Sequence, residues 1–457
     1  MNPQPPIPDL NTSPAGAGYS RYKSLFIKKI ESVIENGPPL FWALILAAVV
    51  RMTAAILVDY LAAGRGAKCL FGDTEIYWQY GLAIATGKPY VVYQWEVPHF
   101  ALRTPGYPLW LGFWIRLFGD WTLAIRLGQS ALGVLSVWWI YLLAIESGCS
   151  ARVSRLAALL LAIDPFASLQ SNFLLTESIF SPLLLFFLLI WTRQIFGSIQ
   201  PQKSLHIPIR YFSLGALQAI LALIRPAWGP FLIPLLVINL FAHRYLHKYS
   251  ASLSIKFNLM LITGWLVIVM PWALRNESVI GRPAIGGTWG GASLYDGVRP
   301  GADGTSEMSF VAAPEFQDLS ETDQDDRWKA LSWQEIRKNP ARIARLALVK
   351  QGRFWSAWPL ERSVDRWWLR LACGLVVWPI WLLVIPGLFK IRHKSQNYQY
   401  LLLFLPLLFT ASEHTLFVGS SRYRVAVFAP VLVIAAEGLS FILSRSAFLK
   451  GSNETGI

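Results

Sequence analysis

Two carboxylates and an arginine make residues 71–119 the part of the chain with the clearest chemistry. Asp73 and Glu75 come first, and Arg103 follows, just before a turn-forming Thr-Pro-Gly. A carboxylate sheltered by aromatic rings at a lipid–water boundary can remove a proton from a hydroxyl or an amine. An arginine can bind phosphate through two parallel hydrogen bonds and stabilise the charge on a departing phosphate. The stretch predicts a base and a phosphate ligand in one site, although Asp73 is also placed to cap a helix ending near Thr86.

A second acidic position and a set of arginines extend this prediction. Glu177 follows Thr176 in the run LLTESIF, where it would either serve the same site as Asp73 or stabilise the start of a helix capped by Thr176. Arginine is costly in a bilayer and under-represented in outward loops, so a group of arginines at one outer surface needs a ligand. A lipid phosphate is the natural ligand, whereas any single arginine could simply extend to the interface on its apolar stem. The phosphate-binding candidates are Arg103, Arg225, Arg275, Arg422 and Arg424.

Aromatic side chains and one histidine are candidates for a substrate pocket around these charges. His99 lies beside the Arg103 turn, although a lone loop histidine usually has no chemical role. The pocket candidates are Tyr77, His99, Tyr107 and Tyr295.

The composition places this chemistry at a membrane. Of 457 residues, 54% are hydrophobic and only 15% are charged, and the mean hydropathy is +0.42. Such a chain has too much apolar surface for a soluble protein, so an all-α polytopic membrane protein is predicted. The net charge of +14 comes from Lys and Arg residues clustered in short loops between apolar runs, as the positive-inside rule expects for a membrane protein. This distribution argues against a nucleic-acid-binding protein. The three cysteines are far apart and predict neither a disulfide framework nor a zinc site.

Basic residues before the first apolar run predict a cytoplasmic N-terminus, and basic loops decide which later runs cross. Residues 107–118 are too short for a span and predict an interfacial or half-membrane helix. The predicted crossings lie near residues 40–62, 121–145, 151–163, 179–192, 211–224, 230–242, 259–274, 368–389, 400–409 and 425–443.

This topology divides the chain into four regions and places the unusual polar residues outside. The regions are 1–39, a disordered cytoplasmic tail with a basic flank; 40–274, a transmembrane module with a catalytic first outer loop at 63–105; 275–366, a large outer loop; and 367–457, C-terminal helices with a short cytoplasmic tail.

The large outer loop contains two distinctive charge patterns. Residues 303–326 hold eight acidic residues and no Lys or Arg, and a solvated acidic loop is favoured over an ion site because no EF-hand spacing is present. Thr322 is placed to cap a helix reaching Asn339. The basic amphipathic run 341–358 predicts a helix along the outer membrane surface.

Arg51 and Asp59 lie in the first apolar run, on one face of the predicted helix. An intramembrane ion pair, a tie to the rest of the bundle and a catalytic role are all open.

Six motifs, in order, resemble the GT-C superfamily of membrane glycosyltransferases, particularly the branch of protein O-mannosyltransferases and lipid A aminoarabinose transferases. They are GDTEIYWQYGLAIATG, RTPGYPLWLGFWIRLFG, LLTESIF, LIRPAWG, MPWALRNESVIGRPAIGGTWGGASLYDG and SRYRVAVFAP. The resemblance implies a bundle of about 10–12 transmembrane helices, with juxtamembrane helices in the outward loops.

The resemblance also implies an inverting transfer of a sugar from a polyprenyl-phosphate donor to a lipid, glycan or protein acceptor at the outer face of a plasma or bacterial inner membrane. By position, Asp73 resembles the base, Arg103 the donor-phosphate ligand and Glu177 a second acidic residue. Many relatives have adjacent acids in the first loop, whereas Thr74 separates Asp73 from Glu75. The sequence therefore leaves open whether Glu75 assists, and it predicts no cofactor, with a divalent cation the only one left open.

A transporter or flippase for a lipid-linked sugar is the alternative function, and a non-catalytic membrane scaffold is a third. A transporter would show polar groups across the midplane and often repeated halves. The sequence shows neither pattern clearly, apart from Arg51.

Overall fold

The chain folds into a bundle of apolar helices with a smaller helical layer at one end. The computed structural model describes residues 39–64, 71–94, 97–196, 207–360, 366–392 and 397–454, so residues 1–38 of the predicted N-terminal tail and Cys69 lie outside the described residues. The α-helices in chain order are α1 Leu40–Gly64, α2 Gly72–Thr86, α3 Gly106–Phe118, α4 Thr122–Glu146, α5 Ala151–Ile163, α6 Pro165–Gln170, α7 Glu177–Phe196, α8 Ile207–Ile224, α9 Leu232–Phe241, α10 Ala251–Ile280, α11 Gly290–Val298, α12 Pro314–Gln317, α13 Glu321–Lys338, α14 Pro340–Trp355, α15 Trp367–Ile391, α16 Leu401–Glu413, α17 Ser421–Phe428 and α18 Leu432–Glu454.

The prediction of an all-α polytopic membrane protein is confirmed. Within the described residues, seven helical segments are long and apolar enough to span a membrane, and two shorter apolar helices accompany them. All ten predicted crossings are helical, although α5 has only 13 residues and carries two arginines. The seven segments are Leu40–Gly64, Thr122–Glu146, Glu177–Phe196, Pro226–Leu246, Ala251–Ile280, Trp367–Ile391 and Ser421–Arg445.

Two short helices, α2 and α3, form the end of the bundle next to the predicted site. A β-hairpin of β1 Val92–Gln94 and β2 Val97–His99 lies between them in the chain. The helices cross where Gly81 faces Gly112, and a Cβ on Gly81 would lie 2.7 Å from Cβ of Leu111. With 13 residues, α3 is about 20 Å long, shorter than the hydrocarbon core of a bilayer.

The start of α3 is packed against the end of α8. A Cβ on Gly106 would lie 2.6 Å from both the Leu223 carbonyl oxygen and the Ile224 nitrogen, so only glycine fits at this contact. The contact fixes the chain just after Arg103 against the chain just before Arg225.

Residues 275–366, predicted to face outward and called the outer segment below, form a small core of their own. The interpretation of residues 303–326 as a solvated acidic loop is wrong in part. Ala292, Val311, Phe316 and Trp328 pack together above the bundle. Two of the acidic side chains in this run are buried rather than solvated, because they accept hydrogen bonds from backbone N–H groups; they are Glu321 and Asp325.

The start of α13 also differs from the prediction. Ser320, rather than Thr322, is the N-cap residue, and its hydroxyl accepts a hydrogen bond from the Asp323 N–H. The helix ends at Lys338 and is followed by α14, which begins at Pro340. The basic amphipathic run is thus helical as predicted.

Arg51 and Asp59 do not pair with each other. The buried Arg51 guanidinium donates to the carbonyls of Leu161 and Ala162, at 2.9 and 3.3 Å. Asp59 accepts from Arg126 at 3.1 Å. Arg51 therefore attaches α1 to α5, and Asp59 attaches α1 to α4. Of the three hypotheses for these residues, a tie to the rest of the bundle agrees with both contacts.

Candidate active site

Asp73 and Arg103 meet, although thirty positions of sequence separate them. Asp73 lies in the first turn of α2, and its Oδ1 accepts a hydrogen bond from Nη2 of Arg103 at 3.1 Å. The N-cap of α2 is Phe71 and makes no side-chain capping bond, so the alternative role of Asp73 as a helix cap is wrong. Arg422 approaches the other oxygen of Asp73, with Nη1 3.8 Å from Oδ2. One carboxylate thus faces two guanidinium groups.

Glu177 lies on the other side of Arg422 and is buried. Its Oε1 accepts from Arg422 Nε at 2.8 Å, and its Oε2 lies 3.3 Å from Arg422 Nη2. Arg225 approaches Oε1 at 3.5 Å. The Thr176 hydroxyl donates to Glu177 Oε2 at 3.2 Å, so Thr176 binds the carboxylate as well as preceding the helix. Arg422 therefore bridges Asp73 and Glu177.

The five charged side chains carry a net charge of +1, because three arginines face two carboxylates. Asp73 is the most accessible member, with 45% of its side chain exposed, whereas Glu177 is 1% exposed. An anion that approaches this cluster meets guanidinium donors and one exposed carboxylate. We call Asp73, Arg103, Glu177, Arg225 and Arg422 the charged cluster.

Aromatic rings surround the charged cluster. The Arg103 guanidinium lies 4.9 Å from the ring centre of Trp289 and 5.8 Å from that of Tyr77. Tyr423 lies beside both Arg225 and Arg422, at 5.0 and 5.6 Å. Aromatic rings attract the guanidinium groups through cation–π interactions and shield them from water. This shielding strengthens the electrostatic attraction between the arginines and a bound anion.

Of the predicted pocket residues, Tyr77 lies beside the charged cluster. Burial raises the pKa of its phenol to about 12, against the opposing charge of Arg103 and with smaller upward contributions from the Asp73 and Glu177 charges. Tyr107 packs edge-on against Tyr77 at 5.3 Å and is completely buried, with its hydroxyl 2.9 Å from the side-chain amide of Gln129. Tyr107 therefore supports Tyr77 from below instead of lining an open pocket.

Two arginines that the sequence assigned to phosphate binding are engaged elsewhere. Arg275 donates to the carbonyls of Phe100 and Tyr90, at 2.7 and 2.9 Å. Arg424 donates to the carbonyls of Phe354 and Ser356, at 3.3 and 2.5 Å. Arg275 thus stabilises irregular backbone, and Arg424 stabilises the C-terminal end of α14, because their donors are directed to peptide oxygens.

The remaining predicted residues lie outside the charged cluster. Glu75 is exposed and accepts from Gln79 at 3.2 Å. His99 is buried between a carbonyl of its own strand and Gln324 of α13, with ring nitrogens 2.9 Å from the Val97 oxygen and 3.4 Å from Gln324 Oε1. Tyr295 packs on Phe310 inside the outer segment.

The sequence-based reasoning missed Trp289, Tyr423 and Glu321. Tyr423 stands between the two arginines of the RYR motif, and Trp289 stands in the TWGG motif, so an aromatic residue beside each motif was the available signal. No local pattern marks Glu321, because its partners are far away in the chain.

The carboxylates of the cluster do not fit a divalent cation in this arrangement. Asp73 and Glu177 each accept a hydrogen bond from an arginine, whereas Mg²⁺ or Ca²⁺ needs several oxygen ligands free of competing cations. Across the described ranges, no group of three or more His, Cys, Asp or Glu side chains is placed to hold a metal ion.

Known proteins resemble this chain in fold rather than in sequence. No protein-family model matches it, and no curated protein matches it in sequence. Among solved structures, the oligosaccharyltransferase AglB from Archaeoglobus fulgidus, in complex with an inhibitory peptide and a dolichol-phosphate, aligns with a TM-score of 0.54 at 14% identity over 92% of this chain and 52% of that one. The oligosaccharyltransferase of the same organism tethered to an acceptor peptide with the NVT sequon gives 0.52 at 13% identity, over 89% of this chain and 50% of that one.

ArnT from Cupriavidus metallidurans, bound to undecaprenyl phosphate, aligns over 90% of this chain and 79% of its own at 13% identity, with a TM-score of 0.42 that does not by itself establish a common fold. The chain spans about half the length of the oligosaccharyltransferase chains it matches. It shares the fold of these oligosaccharyltransferase structures.

Proposed function

We propose that this protein is a membrane glycosyltransferase that moves a sugar from a polyprenyl-phosphate donor to an acceptor at the outer membrane face. The observation that carries the proposal is the charged cluster, in which one exposed carboxylate lies beside arginines that can receive a phosphate. The fold supports a transferase of the GT-C type, and the AglB structure that contains a dolichol-phosphate supports a polyprenyl-phosphate donor.

The charge balance suits a phosphodiester donor. A sugar linked through one phosphate to a polyprenyl chain carries a single negative charge, and the cluster carries a net charge of +1. On donor binding, Arg103 and Arg422 would turn donors from Asp73 to the phosphate oxygens, and Arg225 would approach from the Glu177 side. Guanidinium groups suit this role because they bind phosphate oxygens in pairs.

The reaction would be a single displacement with inversion at the anomeric carbon. The Asp73 carboxylate accepts a proton from the acceptor hydroxyl or amine, whose oxygen or nitrogen forms a new bond to that carbon. The bond from the anomeric carbon to the phosphate oxygen breaks, and its electron pair leaves with the polyprenyl phosphate. The arginines stabilise the charge that develops on the leaving phosphate.

The two carboxylates would have different roles. Glu177 is buried behind Arg422 and would hold that arginine and Arg225 in place, as a positioning residue. Asp73 has the exposure that an acceptor needs for approach. Glu75 is directed to Gln79 and would contribute less than Asp73.

The decisive experiment follows release of polyprenyl phosphate by the purified full chain. The chain is given a panel of polyprenyl-phosphate sugars and a cell-envelope extract as the source of acceptor. Asp73→Asn should lower turnover by about 10²–10⁴-fold, since an amide cannot take the proton. Glu277→Gln is the matched control, because Glu277 is an exposed carboxylate at the end of α10 and outside the cluster.

Two results would contradict the proposal. Turnover by Asp73→Asn at the native rate would remove Asp73 as the base. If no donor were consumed while a labelled lipid-linked sugar crossed vesicles that contain the protein, the transporter reading would replace the transferase.

A further inference from the structure

Arg103 is held in irregular backbone, and that backbone is fixed from outside its own loop. Residues 100–103 follow β2 and belong to no helix or strand. A side chain on such a segment is only as well placed as the groups that bind its peptide bonds.

Glu321 binds two successive peptide N–H groups of this segment. Its Oε1 accepts from the Phe100 N–H at 2.8 Å, and its Oε2 accepts from the Ala101 N–H at 3.1 Å. The Thr288 hydroxyl donates to the same Oε2 at 2.8 Å. Glu321 is 4% exposed, so these three donors replace water around a buried carboxylate.

The neighbouring groups complete the attachment. The Thr288 N–H donates to the Ala101 carbonyl at 2.8 Å, which places two chain segments side by side. Gly287 makes this approach possible, since a Cβ there would lie 2.7 Å from the Leu102 oxygen. Trp289, which follows Thr288, places its ring 4.9 Å from the Arg103 guanidinium.

We propose that Glu321 is a positioning residue for the donor phosphate site: its carboxylate fixes residues 100–101 and thereby sets the place of Arg103 beside Asp73. The inference rests on the proposed function for its effect on donor affinity. Glu321 touches no atom of the charged cluster in the contacts above and acts through the backbone. The outer segment would thus take part in donor recognition although it carries none of the phosphate-binding arginines.

Glu321→Gln is the test variant, because it keeps the size of the side chain. The Gln amide has only one acceptor oxygen, and its NH₂ group faces the Phe100 N–H, the Ala101 N–H or the Thr288 hydroxyl, which are themselves donors. Asp326→Asn is the matched control: it makes the same charge change on α13, where Asp326 is exposed and pairs with Arg282. Thr288→Val is a milder variant that removes one donor and leaves the carboxylate in place.

Binding of undecaprenyl phosphate to the purified full chain in detergent measures the effect. Glu321→Gln should weaken binding by about ten- to a hundredfold through misplacement of Arg103, Thr288→Val should weaken it less, and Asp326→Asn should match the native chain. Adding Glu321→Gln to Arg103→Ala should cause no further loss, because the two residues act as one unit. A loss of fold alone would instead multiply with the Arg103→Ala effect.

Amide hydrogen exchange separates this proposal from the proposed function. The N–H groups of Phe100 and Ala101 should exchange faster in Glu321→Gln than in the native chain. In Asp326→Asn they should exchange at the native rate. If the native chain bound no undecaprenyl phosphate, the proposed donor would be wrong, and the positioning role would then be decided by exchange alone. Unchanged exchange at both amides, or native lipid affinity in a folded Glu321→Gln, would overturn the positioning role.

Discussion

At the scale of single residues, Lys350 is the clearest group whose charge is set by its surroundings. It is completely buried, and its Nζ donates to the carbonyls of Leu416 and Thr415, at 2.5 and 3.3 Å. Burial lowers the pKa of its ammonium group to about 8, against the opposing influence of Asp296. The carbonyls that it binds precede Arg422 in the chain, so Lys350 supports one side of the charged cluster.

Stability should therefore rise with pH between about 8 and 10.5. In this window the unfolded chain binds a proton at Lys350 that the folded chain has lost, so raising the pH favours the folded state. The total gain is on the order of 3 kcal/mol, from roughly 1.4 kcal/mol for each unit of pKa difference.

Thermal unfolding in detergent as a function of pH measures this gain. Lys350→Met should abolish the rise, whereas Lys338→Met, at an exposed position on α13, should keep it. A rise of equal size in Lys350→Met would show that another group is responsible.

The sequence could predict part of the site at this scale. Asp73, Arg103, Glu177 and Arg422 stand in short motifs, and their charge predicts the chemistry that the geometry supports. Arg275 could not be assigned in the same way, because an arginine that binds peptide carbonyls and one that binds phosphate look alike in sequence.

At the scale of elements, the contact between α3 and α8 sets the distance between two phosphate-binding candidates. Gly106 follows Arg103 by three residues, and Ile224 directly precedes Arg225. The two backbones approach so closely that no Cβ fits at Gly106. The elements therefore act as a spacer between the arginines.

Gly106→Ala should separate α3 from α8 and lower transferase activity by about a hundredfold, because a small misplacement of a phosphate ligand is enough to cost that much. Gly352→Ala is the control, since a Cβ there meets no atom within 4 Å. The measurement is polyprenyl phosphate release together with the unfolding temperature. Native activity in Gly106→Ala would mean that the spacing between Arg103 and Arg225 does not matter.

Element types followed from apolar periodicity and charge, whereas element contacts did not. The run 107–118 was predicted as a short helix because of its length, and α3 has that form. The N-cap of α13 is Ser320 and not the predicted Thr322. Either hydroxyl suits an N-cap, and only the backbone geometry decides which residue takes that position. The crossing of α2 and α3 depends on Gly81 and Gly112, whose spacing alone gave no signal.

At the scale of the whole molecule, the apolar spans carry large side chains on their outer surfaces. Phe41 is 64% exposed and Leu375 is 68% exposed on helices long enough to cross a bilayer. In water such surfaces would be unfavourable, so lipid is their solvent. Composition predicts this environment directly, which is why the fold class could be predicted from sequence although the contacts of the site could not.

The proposed orientation places the outer segment and the start of α10 on opposite sides of the membrane. In a cysteine-free background, Asp318→Cys should react with a membrane-impermeant maleimide in intact cells. Ala251→Cys should react only after the cells are permeabilised, because the positive-inside rule assigns its basic flank to the cytoplasm. Both positions are exposed. Labelling of both from one side would overturn the predicted topology.

The attachment of residues 100–101 to Glu321 has a consequence for protein engineering. A chimera that exchanges residues 275–366 with those of a protein of the same fold, in order to change the proposed acceptor, also replaces Glu321, Thr288 and Trp289. The exchanged segment and the native 97–106 loop would then meet with unmatched hydrogen-bonding groups beside Arg103. Residues 97–106 and 275–366 should therefore be exchanged together, as a single graft with two pieces.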